Sequence, residues 1–276
     1  MTYVKLLILF FSVNSVILSQ SGFQLFPPDL LTEPFNANHL EPKLGFLFHI
    51  AENEIRLDIG NSMDLAAWKL DENEFVSAGA DLFTYTLLRG ESNFHFPVDA
   101  IDYLFGLNAS YRRDFDEKQI GARLRISHIS AHFVDGHYDP TNQIWRDNQK
   151  PKVYSREFVE LMPYFKTGNL RVYAGISFLF HVDPERLGKD SYEFGAEYFA
   201  KDLLNEFLTP FISYDFKLVN YEKYRGNNSI IAGLKIGFPD GRGLSLYFNY
   251  YAGQSIHGEY FDFVKKYFAF GVNLDI

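Results

Sequence analysis

Two residues stand two apart in the segment SHISAHFVDGHYD, Ser127 to Asp139: His128 and Ser130. A histidine within reach of a serine hydroxyl can take its proton and turn it into a nucleophile, the opening step of acyl transfer. Residues two apart in a strand project from one face with α-carbons roughly 6.6 Å apart, near enough for imidazole to reach hydroxyl. Further on, YSREFVEL supplies Glu157. If residues 119–133 and 153–166 form a hairpin pairing Phe133 with Lys152, His128 falls opposite Glu157, and a shift by two keeps the shared face. Ser130, His128 and Glu157 are therefore expected as nucleophile, base and orienting acid.

Such a site needs strands whose two faces meet different solvents. Residues 267–276 alternate strictly, with Phe268, Phe270, Val272, Leu274 and Ile276 on one side and Ala269, Gly271, Asn273 and Asp275 on the other. A period of two with one apolar face is a strand wet on one side only. The pattern recurs at 44–50, 54–59, 75–88, 101–112, 119–133, 153–166, 170–180, 192–200, 210–220, 229–238 and 243–251. With 267–276 the total is about twelve, an even number as closed single-chain barrels require. Short links (DFDEK, KTGN, PDGRG) alternate with long ones at 134–152, 181–190 and 252–266. Residues 61–73, containing MDLAAWKL, read as a short helix or a loop. The expected fold class is all-β, a transmembrane antiparallel up-and-down β-barrel. His128 and Ser130 share the parity of Ile120, Ala122, Leu124 and Ile126, so they face lipid. Because about nine to eleven residues cross the hydrocarbon, both lie near the outer-leaflet head-groups.

The first residues read as processing. Lys5 gives a positive start, Leu6 to Leu18 form a mostly apolar run, and Ile17 and Ser19 offer a cleavage site before Gln20. Residues 1–19 are expected as a removed signal peptide and 20–42, rich in proline (Pro27, Pro28, Pro34, Pro42), as an extended segment that lies in the periplasm or tucks into the barrel. Residues 43–276 are expected as the barrel, in the bacterial outer membrane. No cysteine is present, which excludes a lipid-modified N-terminus and a disulfide framework. The 29 Phe and 18 Tyr exceed what one dry core needs and suit lipid-facing bands and interfacial girdles. A net charge of -9 argues against nucleic acid. The expected partners are outer-membrane lipid and the barrel-assembly machinery, with the chain a monomer or weak oligomer.

The opposite parity lines the lumen with both signs of charge: Arg112, Arg123, Arg125, Glu160, Arg171, Glu193, Glu197, Asp215, Lys217 and Lys235. This is either a salt-bridged interior or the lining of a small-solute pore. In a strand His128 and His132 lie about 13 Å apart along the axis, and nothing fixes the geometry of His132, Asp135 and His137. No metal site and no cofactor are expected. Tyr250, Tyr251 and His257 form a second polar aromatic cluster, either an interfacial girdle or a site for a glycan or lipid head-group.

The outward His-x-Ser pair resembles that of the membrane-embedded ester hydrolases of the outer membrane, phospholipase A and the lipid A deacylase. The resemblance implies acyl-ester hydrolysis on outer-leaflet lipid and rests on His128 and Ser130, with Glu157 as the acid. Those enzymes usually follow the serine with asparagine, and Ala131 stands here. A broader resemblance covers nearly the whole mature chain. The segments LFPPDLLTEPF, HISAHFVDGHYD, YSREFVEL and LSLYFNYYAGQSIHGEYFDF look like the bacterial family known as domain of unknown function 1207. Its recurring pattern falls here on His128, Ser130, His132 and Asp135, then Tyr154 and Glu157, then Tyr250, Tyr251, Gly253 and Ser255. It implies a fold and no activity. Three functions stay open at this point: lipid-ester hydrolase, passive pore, and structural or adhesive surface barrel.

Overall fold

The computed structural model describes residues 22–201 and 203–276; the segment expected as a signal peptide lies outside the described residues. Twelve antiparallel strands close into a barrel: β1 (Gly45–His49), β2 (Glu54–Asp71), β3 (Glu74–Arg89), β4 (Val98–Phe115), β5 (Lys118–Phe133), β6 (Tyr154–Thr167), β7 (Leu170–Asp183), β8 (Asp190–Phe199), β9 (Leu208–Tyr221), β10 (Lys223–Gly237), β11 (Gly243–Gln254) and β12 (Val264–Asp275). Each pairs with its neighbours in sequence. Closure runs from Ala269↔His49 to Asn273↔Gly45, which leaves no free edge in the ring.

The exterior is apolar along every strand. Phe105, Leu107, Ile126, Phe178, Phe194, Phe248 and Phe268 are all exposed. Such a surface is stable only against hydrocarbon, so the strands span a membrane. No helix among the described residues is long and apolar enough to cross a membrane.

Residues 61–73, expected as a helix or loop, instead continue β2 to Asp71. Two register shifts, at Asp64/Ala66 and Lys69/Asp71, break the alternation there and hide the strand from a period-two reading. A short ribbon, Phe23–Leu25, pairs with Ala66–Trp68 on that extension. At the long-loop end, β9 and β10 meet at the single residue Glu222, with φ 63°, where the sequence reading leaves residues 221–228 as a connection.

The lumen is filled from both ends. From the short-turn side, residues 33–44 run up inside the ring. The Phe35 ring lies 5.1 Å from the Arg123 guanidinium and 4.8 Å from that of Arg171. Asn38 Nδ2 donates to Glu193 Oε1 at 2.7 Å, Arg123 Nη1 to Glu41 Oε2 at 2.7 Å, and Arg125 Nη1 to the Leu40 carbonyl at 3.2 Å. From the other side, residues 255–263 fold inward and bury His257, Glu259, Tyr260 and Phe261. Above the ionic layer Phe83, Leu104, Ile129, Tyr154, Phe158, Leu179 and Phe261 form an apolar core inside the barrel.

Candidate functional site

Two rows of side chains cross the outer face of β4–β7 near the long-loop end. Register places Phe105, His128, Glu157 and His181 in one row, and Tyr103, Ser130, Ser155 and Asp183 in the next. Rows two residues apart share a face, and all eight side chains are exposed or half-buried on the outside. Ile129 and Ala131, between them in sequence, are buried in the lumen.

Glu157 is the hub of this face. One carboxylate oxygen, Oε1, lies 2.5 Å from His128 Nδ1 and accepts a hydrogen bond from Ser155 Oγ at 3.2 Å. The other, Oε2, lies 2.5 Å from His181 Nδ1. Phe105 packs beside His128, with ring centroids 4.8 Å apart. A carboxylate on a lipid-facing wall is costly unless paired, and the two imidazoles and the hydroxyl supply the pairing. With Nδ1 of His128 held by Glu157, Nε2 is the nitrogen left to act on a neighbour. Ser130 Oγ, on the same face one row along, makes no hydrogen bond among the described residues; its approach to His128 is by shared face and spacing.

His181 escapes a sequence reading of the site. Simple alternation with Phe178 and Phe180 turns His181 inward. A register shift between Leu179 and His181 inserts one residue and re-aims the imidazole outward. Ser155 carries the right parity, and a search for serines two residues before Glu157 finds it.

The remaining expected positions fall elsewhere. Arg123, Arg125, Glu160, Arg171, Glu193, Glu197, Asp215, Lys217 and Lys235 are buried inside the barrel, and Arg112 is half-buried against the Phe75 ring at 5.0 Å. Opposite charges meet there: Arg125 Nη2–Glu160 Oε1 at 2.7 Å, Arg171 Nε–Glu197 Oε2 at 2.7 Å, Lys217 Nζ–Glu193 Oε2 at 2.8 Å and Lys235 Nζ–Asp275 Oδ2 at 3.2 Å. Tyr173 donates to Asp215 Oδ2 at 2.8 Å.

Tyr250, Tyr251 and His257 do not form one cluster. Tyr250 sits on the outside beside Phe268, with centroids 4.9 Å apart, while Tyr251 is buried inside and donates to the Gln254 carbonyl. His257 Nδ1 lies 2.9 Å from Asp102 Oδ2 in the lumen. His132, Asp135 and His137 also diverge. His132 lies outside near Tyr103, whereas His137 is fully buried, stacked 3.7 Å from Phe133, with Nε2 3.0 Å from the Gln149 carbonyl.

Much of the motif-bearing sequence secures the cap made by residues 255–263. Gly258 N donates to Asp102 Oδ1 at 2.7 Å, and a Cβ added at Gly258 would stand 2.2 Å from Tyr154 Cδ1 and 2.7 Å from Ala131 Cβ. Ala131 is thus small because the cap glycine packs on it. Gly253 leaves room for Asn227, whose Oδ1 accepts from Gln254 N at 2.8 Å.

Among solved structures the chain is similar to outer membrane phospholipase A from Escherichia coli, with a TM-score of 0.54 and 16% identity over 89% of this chain and 94% of that one. An active-site mutant of the same protein gives a TM-score of 0.54 and 17% identity over 89% and 95%. The Salmonella typhi outer membrane phospholipase dimer with bound calcium gives 0.51 and 15% over 84% and 89%. At these identities the likeness is one of fold. No curated protein matches the chain. The family model described as "Protein of unknown function (DUF1207)" matches residues 99–275, from the start of β4 to the end of β12, and the chain belongs to that family.

Proposed function

We propose that this protein is an outer-membrane hydrolase of lipid acyl esters, with Ser130 as nucleophile, His128 as general base and Glu157 as the acid that orients it. The observation that carries the reading is the Glu157 carboxylate 2.5 Å from His128 Nδ1 on the lipid-facing wall, one row from Ser130. Glu157 fixes the tautomer with its proton on Nδ1 and leaves Nε2 basic. When an ester carbonyl arrives, Ser130 Oγ attacks its carbon and Nε2 takes the hydroxyl proton. That proton then goes to the departing alcohol oxygen, and water releases the acyl group from Ser130 by the reverse assignment. Hydrogen bonds of this kind are often long before substrate binds and tighten in its presence.

Place supports the chemistry. A site on the outer wall at the girdle meets an ester where acyl chains join the head-group, without extracting the lipid. The likeness of the fold to that of outer membrane phospholipase A is in keeping with this reading. The occupied lumen, with residues 33–44 and 255–263 inside it, weighs against passive conduction.

The test is acyl release from phospholipid or lipopolysaccharide in mixed micelles by the purified full chain and by Ser130→Ala. Folding is checked by heat-modifiable gel mobility. Loss of release by about a thousandfold or more is expected in the variant. Equal release by both proteins would remove the proposal.

A further inference from the structure

Inside the barrel, directly behind the candidate site, β6 turns Arg156 toward a partly open chamber. Arg56, Arg123, Arg125, Arg171, Lys217 and Lys235 each meet a carboxylate. Arg156 meets none among the described residues. Its guanidinium lies 5.1 Å from the Tyr154 ring centroid, and its Nε is buried with no hydrogen-bond partner.

The chamber has a volume of about 50 Å³ and is walled by Leu40, Phe158, Leu179, Leu187, Val219 and Ile256, with His39, Ser177, Ser191, Asn220 and Asn227 among its polar groups. Two other charged residues reach it, and both are engaged. Lys217 Nζ pairs with Glu193 at 2.8 Å, and Asp190 accepts hydrogen bonds from Asn220 Nδ2 at 2.9 Å and from Tyr224. Arg156, half-buried and without a carboxylate in salt-bridge reach, is left facing a mostly apolar space. Its guanidinium makes no hydrogen bond among the described residues, and a carboxylate entering the chamber gains a charge-assisted, bidentate pair with it.

We infer that this chamber is a binding site for a small organic carboxylate, held by Arg156 with its apolar part against Leu40, Phe158 and Val219. Roughly 10–15 Å³ of such space holds one water, so the volume suits a carboxylate with a short chain and excludes a whole lipid. The inference stands apart from the hydrolase reading, because Arg156 and Ser130 lie on opposite faces of the wall.

Isothermal titration of the full chain in detergent with butyrate, butyramide and inorganic phosphate tests it. Saturable butyrate binding is expected, at least tenfold weaker in Arg156→Gln, with butyramide and phosphate both weaker than butyrate. Val219→Phe, which fills the chamber and keeps Arg156, should abolish binding and serves if Arg156→Gln does not fold. Absence of butyrate binding by the unaltered chain would overturn the inference. So would undiminished binding in either folded variant, or butyramide or phosphate binding as tightly as butyrate.

Discussion

Glu157 accepts from Ser155 and contacts two imidazoles, and the two histidines are not equivalent. His128 shares a strand and a face with Ser130, whereas His181 sits one strand further, where its ring nitrogens meet the Glu157 carboxylate and, at 3.9 Å, Asp183. Replacing the acid should therefore hurt more than replacing the far imidazole. Glu157→Gln keeps the shape but allows the wrong tautomer of His128, and a loss of roughly 10²- to 10⁴-fold in kcat is expected. His181→Ala leaves the Glu157–His128 pair in place, and a loss below about tenfold is expected. Initial rates of acyl release for the two variants, measured side by side, decide the ranking; a larger loss in His181→Ala would reassign the base. The outward face of His128, Ser130 and Glu157 is readable from parity with Ile126 and from pairing across one hairpin. His181 is not, because a single inserted residue at the bulge reverses its parity without marking the sequence.

At the scale of elements, the cap formed by residues 255–263 rests on one glycine and two carboxylates. Gly258→Ala drives a methyl into Tyr154 and Ala131, against backbone pinned by Asp102, so the cap must lift. Faster protease cleavage within residues 255–263 of the folded barrel is the expected result. The second carboxylate, Glu259, accepts from Lys152 N at 3.3 Å at the foot of the long β5–β6 loop, and burial pushes its carboxyl up to about 7 from an ordinary 4.5. A raised acid stabilises the closed cap fully below about pH 4.5, and that contribution fades as the pH climbs toward 7. Hydrogen-exchange protection of the cap amides should fall between pH 5 and pH 7.5, and Glu259→Gln should flatten the dependence. Protection that rises over this interval would contradict the assignment. The strands around the cap are legible in the sequence, since alternation is a local property of each segment. The cap is not, because Asp102, Tyr154 and Gly258 come from three distant segments and meet only once the ring has closed.

The molecule as a whole is a ring with a core, and its interior differs from the hydrated lining that alternating charge alone suggests. Inward arginines and glutamates do line the lower lumen, but residues 33–44 occupy the space between them, and Glu41 completes the charge balance by pairing with Arg123. The proline-rich composition of this segment says that it is extended, not which side of the wall it takes. Its place is set by the carboxylates and guanidiniums that strands far away in sequence turn inward. Removing one member of a buried pair costs about 3–5 kcal/mol, because the survivor stays buried and uncompensated. In Glu41→Ala, Arg123 retains Glu160 at 3.6 Å, so a destabilisation near 3 kcal/mol is expected, seen as a lower urea midpoint followed by tryptophan fluorescence in lipid vesicles. Adding Asn38→Ala also removes the hydrogen bond to Glu193 and loosens the segment from the wall. A plug held by ion pairs should then detach intermittently, giving brief conductance steps in planar bilayers where the unaltered chain is silent. Steady conductance by the unaltered chain, unchanged in the double variant, would show that ions pass the filled lumen and that the segment does not seal it.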